Sequence, residues 1–80
     1  MPTILLIKGY RFFFFSREGN EPMHIHIEQA ERYAKFWLKP IQLAESNGFR
    51  SNEISELSKL VQENQILFEE KWYEFFSRKS

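Results

Sequence analysis

The spacing of apolar side chains changes period once along this chain, and that change constrains the fold more than any motif. As far as Ala44 the apolar residues fall in short β-type segments, unbroken at Ile4–Ile7 and Phe12–Phe15 and alternating with period two at Met23–Glu28 and Arg32–Leu38. From Ser51 onward they recur every three to four residues. Strands first and helices after is the pattern of an α+β domain. Thr3–Ile7 and Tyr10–Phe15 read as β segments, with Gly9 marking a bend or bulge rather than a full turn. Alternation places Tyr10, Phe12 and Phe14 on one face and Arg11, Phe13 and Phe15 on the other. Rings on both faces require cover on both sides, one of which could come from another chain. Ser16–Pro22 is polar and rich in turn formers, so it is a connection.

Met23–Glu28 alternates again, with Met23, Ile25 and Ile27 apolar and His24, His26 and Glu28 polar. Gln29–Glu31 turns the chain into Arg32–Leu38, where Ala34, Phe36 and Leu38 share one face and Tyr33, Lys35 and Trp37 the other. Lys39-Pro40 breaks that run, and Ile41–Ala44 forms a short last strand ended by the Asn47-Gly48 turn. The expected sheet is an antiparallel meander of three to five strands within residues 3–44, one face packed on helices.

In the second half, Ser51 or Asn52 can cap a helix whose stripe is Ile54, Leu57, Leu60 and Val61. Glu63-Asn64 interrupts the stripe, and Leu67, Phe68, Trp72, Phe75 and Phe76 resume it. A single rod of about 27 residues would be ~40 Å long, which suits so small a domain poorly. Two helices, over residues 52–63 and 65–78, are therefore expected, and residues 1–80 form one domain.

A domain of 80 residues buries only about 60% of the surface its unfolded chain exposes, and without cysteine it has neither disulfides nor thiolate metal sites to help. Aromatic burial must compensate, and nine Phe, three Tyr and two Trp supply it. Eleven basic and eleven acidic side chains cancel, which argues against a nucleic-acid partner. They divide unevenly: residues 1–40 carry an excess of two positive charges and residues 41–80 an excess of two negative ones. The apolar run Ile4–Ile7 stops at Lys8, and Arg11 and Arg17 bracket the phenylalanines, so no signal peptide or membrane span is expected. A soluble, cytoplasmic protein is the expectation.

His24-x-His26 is the most chemical feature. Residues two apart on a strand project from the same face, so both imidazoles could reach one zinc, iron or manganese ion, with Glu28 as third ligand and Glu21 nearby. Lys35 on the neighbouring strand makes His24, His26 and Lys35 the candidates for metal-free acid–base catalysis of a nuclease-like kind. The structural alternative is a pair of half-exposed histidines hydrogen-bonded on a sheet face. Tyr33, Trp37, Phe13 and Phe15 on that face read equally as an interface patch. There is no nucleophile motif, no zinc-finger spacing and no glycine-rich phosphate loop, and no cofactor is expected.

Several segments together resemble a small bacterial family of unknown function, DUF4160, whose members carry a Pro-Pro-His-x-His-Val segment. The matching pieces are Met1-Pro2-Thr3-Ile4, Gly9-Tyr10-Arg11-Phe12, Pro22-Met23-His24-Ile25-His26-Ile27 and Ala34-Lys35-Phe36-Trp37-Leu38, with Glu63-Asn64 and Lys71-Trp72 later. Met23 stands where the family usually has a second proline. The resemblance implies a β-meander followed by C-terminal helices. It also implies genes lying beside another small uncharacterised protein, in toxin–antitoxin-like pairs. The expected function is a non-enzymatic interaction module that binds that small partner or a second copy of itself. The competing expectation is a metal- or histidine-dependent enzyme built on the His-x-His strand.

Overall fold

Lys8 (φ 55°) and Gly9 (φ 81°) both adopt left-handed backbone geometry, which lets the chain reverse within two residues. The first apolar run is therefore a hairpin: β1 (Thr3–Ile7) and β2 (Tyr10–Phe13) pair antiparallel, with Ile7 opposite Tyr10. Gly9 is half of a full turn, not a bend, because positive φ at both positions is the geometry of the type I′ loop that matches strand twist. The ladder stops at Phe13, two residues short of the expected Phe15. Beyond it the Phe14 ring packs on Trp72, Phe75 and Phe76. The computed structural model describes residues 3–15 and 20–76, so part of the connection expected at Ser16–Pro22, and the expected helix end at residues 77–78, lie outside the described residues.

β3 (His24–Gln29), β4 (Arg32–Leu38) and β5 (Ile41–Asn47) complete a five-stranded antiparallel meander in sequence order. Ala30-Glu31 and Lys39-Pro40 make the two short turns, the first with Ala30 at φ 56° and the second with a cis peptide bond. β5 outruns the expected end at Ala44. The register shift between Lys35 and Phe36 leaves Ala44 as an extra residue, after which Glu45, Ser46 and Asn47 pair with Lys35, Ala34 and Tyr33. Gly48 (φ 94°) then turns the chain where a Cβ would sit 2.8 Å from the Arg32 side chain.

Period-two alternation puts Tyr10, Phe12, Ile25, Ile27, Ala34, Phe36 and Leu38 on one face, all buried. Leu57, Leu60 and Val61 of α1 (Ser51–Glu63) and Phe68 and Trp72 of α2 (Gln65–Phe76) close over them. Phe68 stacks on Phe12 with ring centroids 5.3 Å apart. Among the described residues no helix is long and apolar enough to cross a membrane.

The helix start differs from expectation: the N-cap is Arg50, in extended geometry, and Ser51 and Asn52 already belong to the helix. Glu53 reaches back to accept from the Arg50 amide at 2.8 Å, and it also takes the Arg32 guanidinium at 2.6 Å. The helix break is at Asn64, as the interrupted stripe implied, but overall length is not its cause. Straight helix over residues 51–76 would measure ~39 Å, and the longest dimension of the molecule is 41 Å. The cause is local. The Asn64 amide donates to Leu60 O (3.1 Å) and Val61 O (3.2 Å), and its side-chain Nδ2 donates to Leu60 O as well (2.9 Å). The Phe68 amide donates to Asn64 O at 3.0 Å and the helical ladder resumes.

The uneven charge halves meet where helix joins sheet. Arg32 pairs with Glu53, Lys8 lies 3.6 Å from Glu56, and the Tyr10 hydroxyl donates to Glu56 at 3.2 Å. Burial and the Glu56 carboxylate push the Tyr10 phenol above its ordinary pKa. Gln65 donates to Leu38 O at 2.7 Å, which ties α2 to the end of β4.

Two outcomes follow from this packing. Phe68→Ala removes the ring stacked on Phe12 and lowers unfolding free energy by about 3–5 kcal/mol in urea titration. The Arg50 amide, and then Arg32, hold the Glu53 carboxyl below the usual carboxylate range. A depressed carboxylate stabilises the fold above its unfolded pKa of about 4.3, and that contribution fades as pH falls through the lowered value. Glu53→Gln is therefore less stable than the parent near neutral pH, and the gap closes on acidification, as thermal melts across pH will show.

Candidate functional site

β3 supplies the centre of the site because its alternation sends His24, His26 and Glu28 to the face opposite the helices. Register supplies the neighbours. His26 lies between Phe13 of β2 and Lys35 of β4, His24 lies opposite Trp37, and Glu28 lies between Arg11 and Tyr33. The sequence-derived candidates His24, His26, Lys35, Tyr33, Trp37 and Phe13 thus share one patch of sheet, and the Phe15 ring joins them 4.5 Å from His26.

The histidines are not half-exposed. His24 is 0% and His26 1% accessible. The imidazoles meet edge to face, with centroids 4.9 Å apart, inside a box of aromatic rings. Phe13 (5.5 Å) and Tyr33 (5.8 Å) stack against His26, while Trp37 (5.6 Å) and Trp72 (5.0 Å) stand edge-on to His24. Phe13 is itself buried at 2%, so its ring forms a wall of this box rather than part of an outer surface. Phe15, Tyr33 and Trp37 are half-buried around it.

Hydrogen bonds fix both rings. His24 Nδ1 lies 2.8 Å from Pro22 O, and since a carbonyl only accepts, Nδ1 carries the proton and donates. His26 Nδ1 shares a 2.7 Å hydrogen bond with the Tyr33 hydroxyl. No buried side-chain nitrogen or oxygen among the described residues is left without a partner. Two ion pairs border the box. Arg11 binds Glu28 at 2.8 Å, donates to Thr3 Oγ1 at 2.8 Å and lies over the Phe13 ring at 4.4 Å. Lys35 lies 3.2 Å from Glu21 and 4.6 Å above the Trp37 ring.

This arrangement does not gather the ligand set His24, His26 and Glu28. Glu28 is turned onto Arg11, and among the described residues no three His, Cys, Asp or Glu side chains are placed to hold a metal ion. Glu21 comes within 3.9 Å of His24 Nδ1, but its carboxylate also binds Lys35, and Nδ1 is already committed to Pro22. Chemically the site is a closed hydrogen-bonded ring cluster.

Sequence reasoning missed Trp72 as a wall for His24 and Tyr33 as the hydroxyl partner of His26. Trp72 read as helix core, and no local signal could say that it also reaches a histidine 48 residues earlier. Tyr33 was on the correct face by parity, but its pairing with His26 depends on the register of the hairpin between them.

A hydroxyl bonded to a buried imidazole is testable by deletion. Tyr33→Phe leaves His26 Nδ1 without this partner and costs roughly 1–3 kcal/mol of stability. His26→Ala also empties the box and costs more, roughly 2–5 kcal/mol. Both are read from chemical denaturation.

No curated protein and no solved structure matches this chain. One family model does, the domain of unknown function DUF4160, over residues 9–73, a span that takes in every ring of the box. Matched over most of its length, the chain belongs to the DUF4160 family.

Proposed function

We propose that this protein is a non-enzymatic protein-interaction module, one half of a toxin–antitoxin-like pair, whose partner is the small protein encoded by the neighbouring gene. The observation that carries this reading is the burial of His24 and His26. Histidine catalysis needs a ring nitrogen within reach of a substrate proton, and metal catalysis needs an open coordination position. Two imidazoles enclosed by Phe13, Phe15, Tyr33, Trp37 and Trp72 meet neither condition and serve instead to hold the second sheet face together. The reading requires no cofactor.

The surface supports the same reading. Leu6, Leu43, Ile66 and Tyr73 remain exposed in a chain that can hardly spare apolar area from its core. A second copy is the other partner consistent with these side chains.

Light scattering on the purified chain, alone and mixed with the neighbouring gene product, tests the proposal. A stable complex, or a concentration-dependent dimer, is the expected result. A strict monomer that ignores the neighbour rejects the module. Loss of a hydrolytic activity in His24→Ala and His26→Ala variants that remain folded would reject it in favour of the enzyme.

A further inference from the structure

Ile66 and Tyr73 are 68% and 57% exposed and stand seven residues apart in α2. That is two turns of helix, ~10.5 Å of rise, so both project from the same face, opposite the buried Phe68 and Trp72. The other exposed large apolar side chains, Leu6 and Leu43, sit singly on β1 and β5, the opposite edges of the sheet. Each of those edges carries a bulge, at Ile4 and at Ala44, of the kind that blunts strand addition. The paired anchors on α2 therefore make the better docking surface.

The charge around them selects the partner. Glu63 lies three residues before Ile66, Glu70 lies between the two anchors, and Glu69 and Glu74 flank Tyr73. Against these four carboxylates the same stretch offers one ammonium, Lys71, and it sits 3.5 Å from Glu74. A partner lying here gains by bringing cations to that excess of negative charge.

The geometry points to the α2 ridge as the docking site for a basic amphipathic helix, with two apolar side chains seven residues apart set against Ile66 and Tyr73 and Lys or Arg side chains facing Glu63, Glu69 and Glu70. A helical occupant is chosen because its own heptad repeats the ~10.5 Å spacing of the anchors. This rests on the interaction-module reading and specifies the chemistry of the partner.

The probe is a synthetic amphipathic peptide of about 20 residues, long enough for measurable helicity, with leucine on one face and lysine on the other. Its glutamate-for-lysine counterpart is the control. Titrated into the 15N-labelled full chain, the lysine peptide shifts amide resonances of residues 63–74, and its affinity falls with added salt. The double variant Ile66→Ser/Tyr73→Ser, whose side chains lie outside the core, weakens binding by about tenfold or more. Glu63→Gln/Glu70→Gln weakens it as well and removes part of the salt dependence.

No shift, shifts centred elsewhere, equal binding of the glutamate peptide, or full affinity in the Ser/Ser variant overturns the inference. Shifts on α2 that grow with protein concentration alone identify a second copy as the occupant and also overturn it. If the Ser/Ser variant still binds the neighbouring gene product at full strength, the ridge is wrong while the module reading stands. If the parent chain binds neither peptide nor gene product and stays a strict monomer, both fail.

Discussion

A strand buried on both faces is the constraint from which the rest of this structure follows. β3 lies at the centre of the meander, and its first four residues, His24 to Ile27, are all removed from solvent. Its apolar face lies under the helices, as in any two-layer α+β domain. Among the described residues no second layer of helix covers its polar face, which is closed by side chains of the sheet itself, with Trp72 added from α2. Phe13, Phe15, Tyr33 and Trp37 come from the strand on each side of β3 or from just beyond its end, so cover reaches the histidines laterally. This accounts for rings on both faces of β2 without recourse to another chain. A core of this size cannot bury enough apolar surface from one side alone, and the second face adds what is missing.

Imidazole suits such a position better than a third apolar ring in one respect. It stacks like an aromatic side chain while offering polar atoms that fix its orientation, His24 to Pro22 O and His26 to the Tyr33 hydroxyl. The loop before β3 is thereby tied down at Pro22 and at Glu21, which binds Lys35. The helices are oriented by a separate set of polar contacts, Arg32 to Glu53 and Gln65 to Leu38 O, placed at the two ends of β4. Hydrophobic burial drives the layers together without direction, and these bonds select one orientation.

The consequence is a division between the inside and the outside of the molecule. His24 and His26 lie inside the second sheet face, while Ile66 and Tyr73 of α2 stay exposed to solvent in an acidic stretch of sequence.

The sequence alone determined the α+β class, the order of strands and helices, the two faces of β2, β3 and β4, and the break at Asn64. Each of these follows from local rules: period-two or period-3.6 alternation, turn chemistry and the bonding habit of asparagine. It also placed the candidate residues on one face, since parity within a strand is local. Tertiary structure alone decided what those residues meet. Glu28 could be read as a ligand until register set it beside Arg11, and the histidines could be read as half-exposed until Trp72 and Phe15 arrived from distant positions. The full turn at Gly9 and the extra residue at Ala44 were hidden for the same reason, because pairing is a relation between strands. Alternation tells which way a side chain points, and only the neighbouring strands and helices determine what it meets there.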